Sequence, residues 1–352
     1  MTFDSTAGGS TTGLLAGPRG RQACVEVARL VDPQLLPPRE TADRMGSRLL
    51  IEQLNSVDVA AVASLEDPLV LLEALGASVD SARYWQEPDE QDAVLADAHV
   101  RAAFEPVARA LESAPAARWW WSGAALARQA VVRWLEPGRA RAAEPQLTRS
   151  AQRLRRWRDD TRDDEARAAR DRPADPAAPF SGYWWSTPTF ADLVTTTRRL
   201  GRLPAVQLEL VEDSMGWERA RVASIEIRTG VRVFEIAAAS DWSELVSRYP
   251  LDVDRSRRHD WYRATGGLGP WQIPDWVEVS RDYDAVHLSV AGYLAAAGRV
   301  LRTEAGWTVL AGFDPDLTYW LTDSLTLTET PATWVRREAD DLDHEWIRET
   351  LT

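Results

Sequence analysis

In the run Asp284-Ala285-Val286-His287-Leu288-Ser289-Val290, apolar and polar residues alternate, which is the two-residue period of a strand. That alternation puts Val286, Leu288 and Val290 on one face and His287 with Ser289 on the other. An imidazole beside a hydroxyl, with Gly292 close behind, is a pair able to move a proton. Asp316 closes the turn Asp314-Pro315-Asp316 and adds a carboxylate. His287, Ser289 and Asp316 are therefore the expected catalytic residues. No Gly-x-Ser-x-Gly occurs, so Ser289 has no nucleophile elbow. Glu235 and Glu304 are further acids, and spacing alone assigns no pair the acid and base roles.

A second constellation runs from Arg255 to Trp276, RSRRHDWYRATGGLGPWQIPDW, with four arginines, His259, three tryptophans and a Gly-rich turn. Guanidinium forks bind phosphate or carboxylate in pairs of hydrogen bonds, and flat rings stack on a base. Trp185, Arg258, Tyr262 and Trp276 are the expected binding residues for a nucleotide-like anion. Gly266, Gly267 and Gly269 do not sit between a strand and a helix, so they form no dinucleotide fingerprint. The competing reading of the segment is a structured surface loop.

Composition narrows the chemistry further. All 41 basic residues are arginine and none is lysine. With no amine side chain, Schiff-base catalysis on pyridoxal phosphate is excluded, as is a Walker-A lysine. The four histidines and the single Cys24 form no metal-ligand spacing, so no metal is expected. A net charge of −13 disfavours broad nucleic-acid binding, which needs a cationic surface. It suits a basic protein partner instead, and an interaction, immunity or regulatory protein using exposed tryptophans is the alternative to an enzyme. The first twenty residues lack a charged start and an apolar run, and no stretch approaches a membrane span. The expected location is cytoplasmic.

Trp185-Ser186-Thr187 resembles the aromatic–Ser–Thr step of ADP-ribosyltransferases, a likeness that covers residues 180–323. The resemblance implies NAD as cofactor, Ser186 at the binding site, and Arg258 or His259 near the phosphates. It also implies cleavage at the nicotinamide ribose, with a carboxylate stabilising an oxocarbenium-like centre. The chain departs from the family in two respects. Its Arg and His follow the Ser-Thr step, and the late Glu motif is missing, the Asp-Pro-Asp turn offering only aspartates.

The elements that must position these groups point to an α+β fold: an all-helical N-terminal half, then a mixed, mainly antiparallel domain. Residues 1–20 are expected to be disordered, 21–152 helical, 153–179 a charged and Pro-rich linker, and 180–352 a Trp-rich α+β domain. Within 89–113 the helix is expected to break or kink at Pro106. RVASIEIRTGVRVFEIA reads as two strands joined at Thr229-Gly230, and DYDAVHLSV, WTVLAGF and LTYWLTD as three more. Helices are expected after Trp121 and Leu147. Ser122 and Ser186, each behind a Trp-Trp step, are expected N-caps. Trp119, Trp134, Trp242, Trp307 and Trp320 are the expected core tryptophans.

Overall fold

The computed structural model describes residues 13–34, 46–135, 147–189, 192–212, 214, 216–338 and 344–349. Its class is α+β. A 3-10 turn at Gly13–Ala16 leads into α1 (Pro18–Val31), so order begins inside the stretch expected to be disordered; residues 1–12 lie outside the described residues. There follow α2 (Ser47–Leu54), α3 (Val59–Ala63), α4 (Pro68–Asp80), α5 (Glu90–Ala96) and α6 (Ala98–Ser113). Aspartate starts four of these: Asp58, Asp67, Asp89 and Asp97 each accept first-turn N–H groups, which otherwise have no acceptor. The break expected at Pro106 falls at Asp97 instead, and Pro106 is housed inside α6.

The helical run then ends earlier than expected. After a 3-10 turn at Pro115–Trp121 the chain forms β1 (Gln129–Trp134), not a helix. The charged stretch expected as a linker is α7 (Ser150–Asp171) for most of its length. The remaining elements are β2 (Val194–Arg198), β3 (Arg219–Ile227), β4 (Val233–Ile236), α8 (Ala239–Arg248), β5 (Pro250–Asp252), α9 (Arg258–Thr265) and β6 (Gln272–Pro274). They continue with α10 (Trp276–Asp282), β7 (Ala285–Leu288), α11 (Val290–Ala296), β8 (Val300–Arg302) and β9 (Trp307–Val309). Last come β10 (Thr318–Trp320), β11 (Leu325–Leu327), β12 (Ala332–Glu338) and β13 (His344–Arg348).

One sheet organises the molecule, in the order β13-β12-β3-β1-β2-β10-β7-β4 with β11 also on β3. Every pair in it is antiparallel except β4 with β7. β1 therefore lies in mid-sheet between β2 and β3. The two strands joined at Thr229-Gly230 do not pair: β3 and β4 are separated by β1, β2, β10 and β7. Gly230, at φ +76°, supplies the left-handed turn that sends the chain away.

The sheet's two faces differ. One carries Ala130, Val132, Val222, Val286 and Tyr319 into a large core shared with Val27, Leu71, Phe104, Trp242 and Tyr293 of the helices. The other carries a smaller apolar cluster, Val131, Val194, Ala223, Ala285 and Trp320, joined by a polar row. In that row Glu235 pairs with His287, His287 with Thr318, and Thr318 with Thr196. Among the expected core tryptophans, Trp242 and Trp320 are fully buried, while Trp119, Trp134 and Trp307 pack half-buried against the large core.

Candidate functional site

His287 and Asp316 meet, although 29 residues separate them. β7 presents the imidazole on the sheet's second face, between β4 and β10. Its Nδ1 lies 2.6 Å from Glu235 Oε2, and its Nε2 lies 3.4 Å from Asp316 Oδ1. Asp316 in turn accepts from Arg198 twice, from Nε at 2.5 Å and from the backbone N–H at 2.9 Å. Asp316 holds φ at +60°, a left-handed conformation that a short polar side chain tolerates. His287, Asp316 and Arg198 are buried, and only Glu235, with 38 % of its side chain exposed, reaches solvent.

Charge fixes the protonation of this row. Burial by itself lowers the His287 pKa, but hydrogen bonds and charge from Asp316 and Glu235 outweigh it and the net direction is up. Burial raises the Glu235 pKa, and the bond and charge of His287 reverse that, so its carboxyl is held below the usual range. Of the two raising partners Asp316 acts more strongly, although the closer contact is the one to Glu235. With an imidazolium and a guanidinium set against two carboxylates the four groups sum to zero, which avoids the desolvation cost of a net buried charge.

The same array clamps the segment that leaves the helical layer. Arg198 donates to Ser122 Oγ at 2.7 Å and to the Gly123 carbonyl at 3.1 Å, and its guanidinium lies 5.3 Å from the Trp119 ring. Glu235 Oε1 accepts from the Ala124 N–H at 3.0 Å. A Cβ on Gly123 would come within 2.8 Å of that oxygen, so glycine lets the loop close. Chemically, Glu235 is a fixed negative charge and a weak base; it can hold a neighbouring cation.

Ser289 is engaged elsewhere. β7 ends at Leu288, and Ser289 is the N-cap of α11: its Oγ accepts from Gly292 N–H at 3.0 Å and donates to the Ile236 carbonyl at 3.2 Å. The alternation that put it beside His287 stops one residue too soon.

The expected binding residues are adjacent but spent on packing. Arg258 donates to the carbonyls of Pro173 and Ala174 at 3.1 and 2.7 Å. Trp276 is buried, and its indole N–H points to the Ser186 carbonyl at 3.3 Å. Ser186 exchanges bonds of 3.0 Å with Ala311 and Thr187 donates to the Gly312 carbonyl, so the aromatic–Ser–Thr step lies in a loop and caps no helix. Ser122 likewise ends a 3-10 turn, donating to the Trp119 carbonyl. Trp185 is partly exposed against Tyr183, and Tyr262 is half-buried on α9. Arg257 is buried, pushed down to about 10 by burial, and spends its donors on the Trp185 carbonyl and Ser256.

The partner of this arginine segment is the charged helix itself. Glu165 of α7 accepts from the N–H groups of Arg255 and Ser256 at 2.6 and 2.8 Å. Arg158 and Arg162 lie 3.6 Å from Asp275, which caps α10. The two charge-rich stretches that the sequence offers as ligand loop and linker thus neutralise each other.

A concavity of ligand size lies elsewhere, between α4 and residues of β1, β12 and β13. It holds about 480 Å³. Trp134, Trp217 and Trp346 form one wall; Trp134 and Trp217 stack at 5.1 Å and 12°, and Trp346 tilts against Trp134 at 5.9 Å. Leu69, Leu72, Glu73, Gly76, Ala77 and Asp80 of α4 face them, with Glu209 and Val211 beside. At the rim Arg202 pairs with Glu345 at 3.3 Å, both exposed. No sequence signal announces this wall, because its tryptophans come from three distant segments. Arg198 was equally hidden, though an arginine closing the buried run VTTTR does call for a buried carboxylate.

Comparison of the chain with protein-family models, with curated proteins and with solved structures returns no match. Among the described residues, no helix is long and apolar enough to cross a membrane, and no group of three or more His, Cys, Asp or Glu side chains could hold a metal ion.

Proposed function

We propose that this chain is a ligand-binding protein whose site is the cleft between α4 and the Trp134–Trp217–Trp346 wall. The observation that carries the reading is the cleft itself: about 480 Å³ walled by three indoles, within the size range of small-molecule sites. Indole faces give large contact area at little cost in side-chain entropy. The donors of Arg257, Arg258 and Arg263, by contrast, are taken by internal acceptors. The Glu235–His287–Asp316–Arg198 row serves this reading as the fastening that holds the helical layer to the sheet.

A thermal-shift panel of small cations, neutral metabolites, nucleotides and NAD tests it, run on the natural chain and on Trp217→Ala. A ligand at a hundred times its Kd adds about 2.7 kcal/mol to stability. The expected result is a compound that raises the Tm of the natural chain and fails to raise that of the variant. A compound that shifts both equally, or a panel that shifts neither, overturns the proposal.

A further inference from the structure

We infer that residues 172–182 form an acid-opened strap, closed over α9 while His259 is neutral and released when His259 takes a proton. The inference is independent of the ligand reading above. The strap follows α7, and the side chains of α9 latch it. Arg258 donates to the carbonyls of Pro173 and Ala174, and Arg263 to that of Phe180 at 2.7 Å. Asp260 accepts from the Gly182 N–H at 2.6 Å and from Ser181 Oγ at 3.3 Å. Arg172 closes the near end on the Ser256 carbonyl at 2.7 Å. These bonds end within residues 256–263, so they can break together as one local opening.

His259 sits inside this latch, between Arg258 and Asp260 in the chain. It is 1 % exposed, with the Phe180 ring of the strap 5.0 Å away. Neither ring nitrogen makes a well-aligned hydrogen bond. From α9 Arg258 and Asp260 face the ring, and from the strap Arg172 and the Asp175 backbone do. Arg258 also lies 3.6 Å from Asp254, and Arg172 lies 2.8 Å from Asp164. Burial opposes the proton most, followed by Arg258; Asp260 and the Asp175 backbone favour it, Arg172 opposes it, and the net direction of the pKa is down. The closed strap therefore prefers a neutral ring. Opening returns the imidazole to water, where its pKa is about 6.5, so the open form binds the extra proton and acid favours it. Opening also uncovers Phe180 and frees the donors of Arg258 and Arg263.

Amide hydrogen exchange of residues 173–182, corrected for the intrinsic pH dependence of exchange, tests this between about pH 7.5 and about pH 5. In the natural chain the opening constant is expected to rise as pH falls below about 6.5, by no more than about tenfold per pH unit, the limit for one proton. The amides of β1 are expected to keep their protection throughout. His259→Phe keeps a flat ring that takes no proton, and it is expected to hold the strap closed across the range. His259→Gln serves the same purpose where phenylalanine disturbs the fold. An opening constant that does not change with pH in the natural chain overturns the inference, whatever the variants do. So does an acid response that the folded variants retain, because the proton then sits on another group. Protection lost from β1 in step with the strap overturns it too, since the strap would then have no opening of its own.

Discussion

At the scale of single residues, the row from Glu235 to Arg198 is held by alternating charge, and its stability must follow pH. The folded His287 pKa is raised, so its contribution is complete below the unfolded value of about 6.5 and is lost as pH rises through the folded one. The folded Glu235 pKa is lowered, so its contribution is complete above about 4.5 and is lost as pH falls through the folded one. Both are whole between these limits. His287→Gln should cost about 3 kcal/mol near pH 5.5, and less at pH 9, because the contribution of the imidazolium falls as pH rises above the unfolded value of about 6.5. Urea denaturation of both proteins at the two pH values measures this. An equal loss at each would mean that His287 acts by shape and not by charge.

At the scale of elements, the approach of α11 to β4 shows packing overruling propensity. Gly292 lies in the first turn of α11, and a Cβ there would stand 2.2 Å from the Ile236 carbonyl oxygen. Alanine is the better helix former by about 1 kcal/mol, yet Gly292→Ala must push helix and strand apart. It should destabilise by about 2 kcal/mol, in the range of other overpacked sites. Loss of the cap in Ser289→Ala should cost about 1 kcal/mol. Thermal denaturation that ranks Gly292→Ala above the natural chain would contradict the close approach. The same contest of local and tertiary terms explains α7: its Arg and Asp/Glu blocks read as a linker, but Glu165, Arg158 and Arg162 find fixed partners across the fold.

At the scale of the whole molecule, β1 ties the two halves into one folding unit. It belongs to the first half of the chain, and it pairs on either side with β2 and β3 from the second. The large core likewise draws on Val27, Leu71 and Phe104 together with Trp242, Val286 and Tyr319. A single calorimetric transition is expected. The fragment 180–352, deprived of the strand between β2 and β3, should show no cooperative unfolding of its own. A sharp transition in that fragment would refute the shared core.

Elements whose signals are local were legible in the sequence. The periodicity of α1 to α6, the strand of His287, the turn at Asp314-Pro315-Asp316 and the α+β class all follow from neighbours a few residues apart, which share a face or a turn. His287 and Asp316 were legible as reactive side chains, and Glu235 as a strand acid, because residue type alone carries that chemistry. Their meeting was not, nor was Arg198 as the charge that completes the row. Strand order decided that, and nothing in the sequence prevents β3 and β4 from pairing as neighbours. The arginine segment is the same case in reverse: a guanidinium that could bind a phosphate binds carbonyls at Pro173 and Ala174 once the fold brings them within reach. Residue types set which groups are available, and tertiary structure decides which of them are already satisfied, because burial presses a polar group towards a partner and only the fold chooses whose.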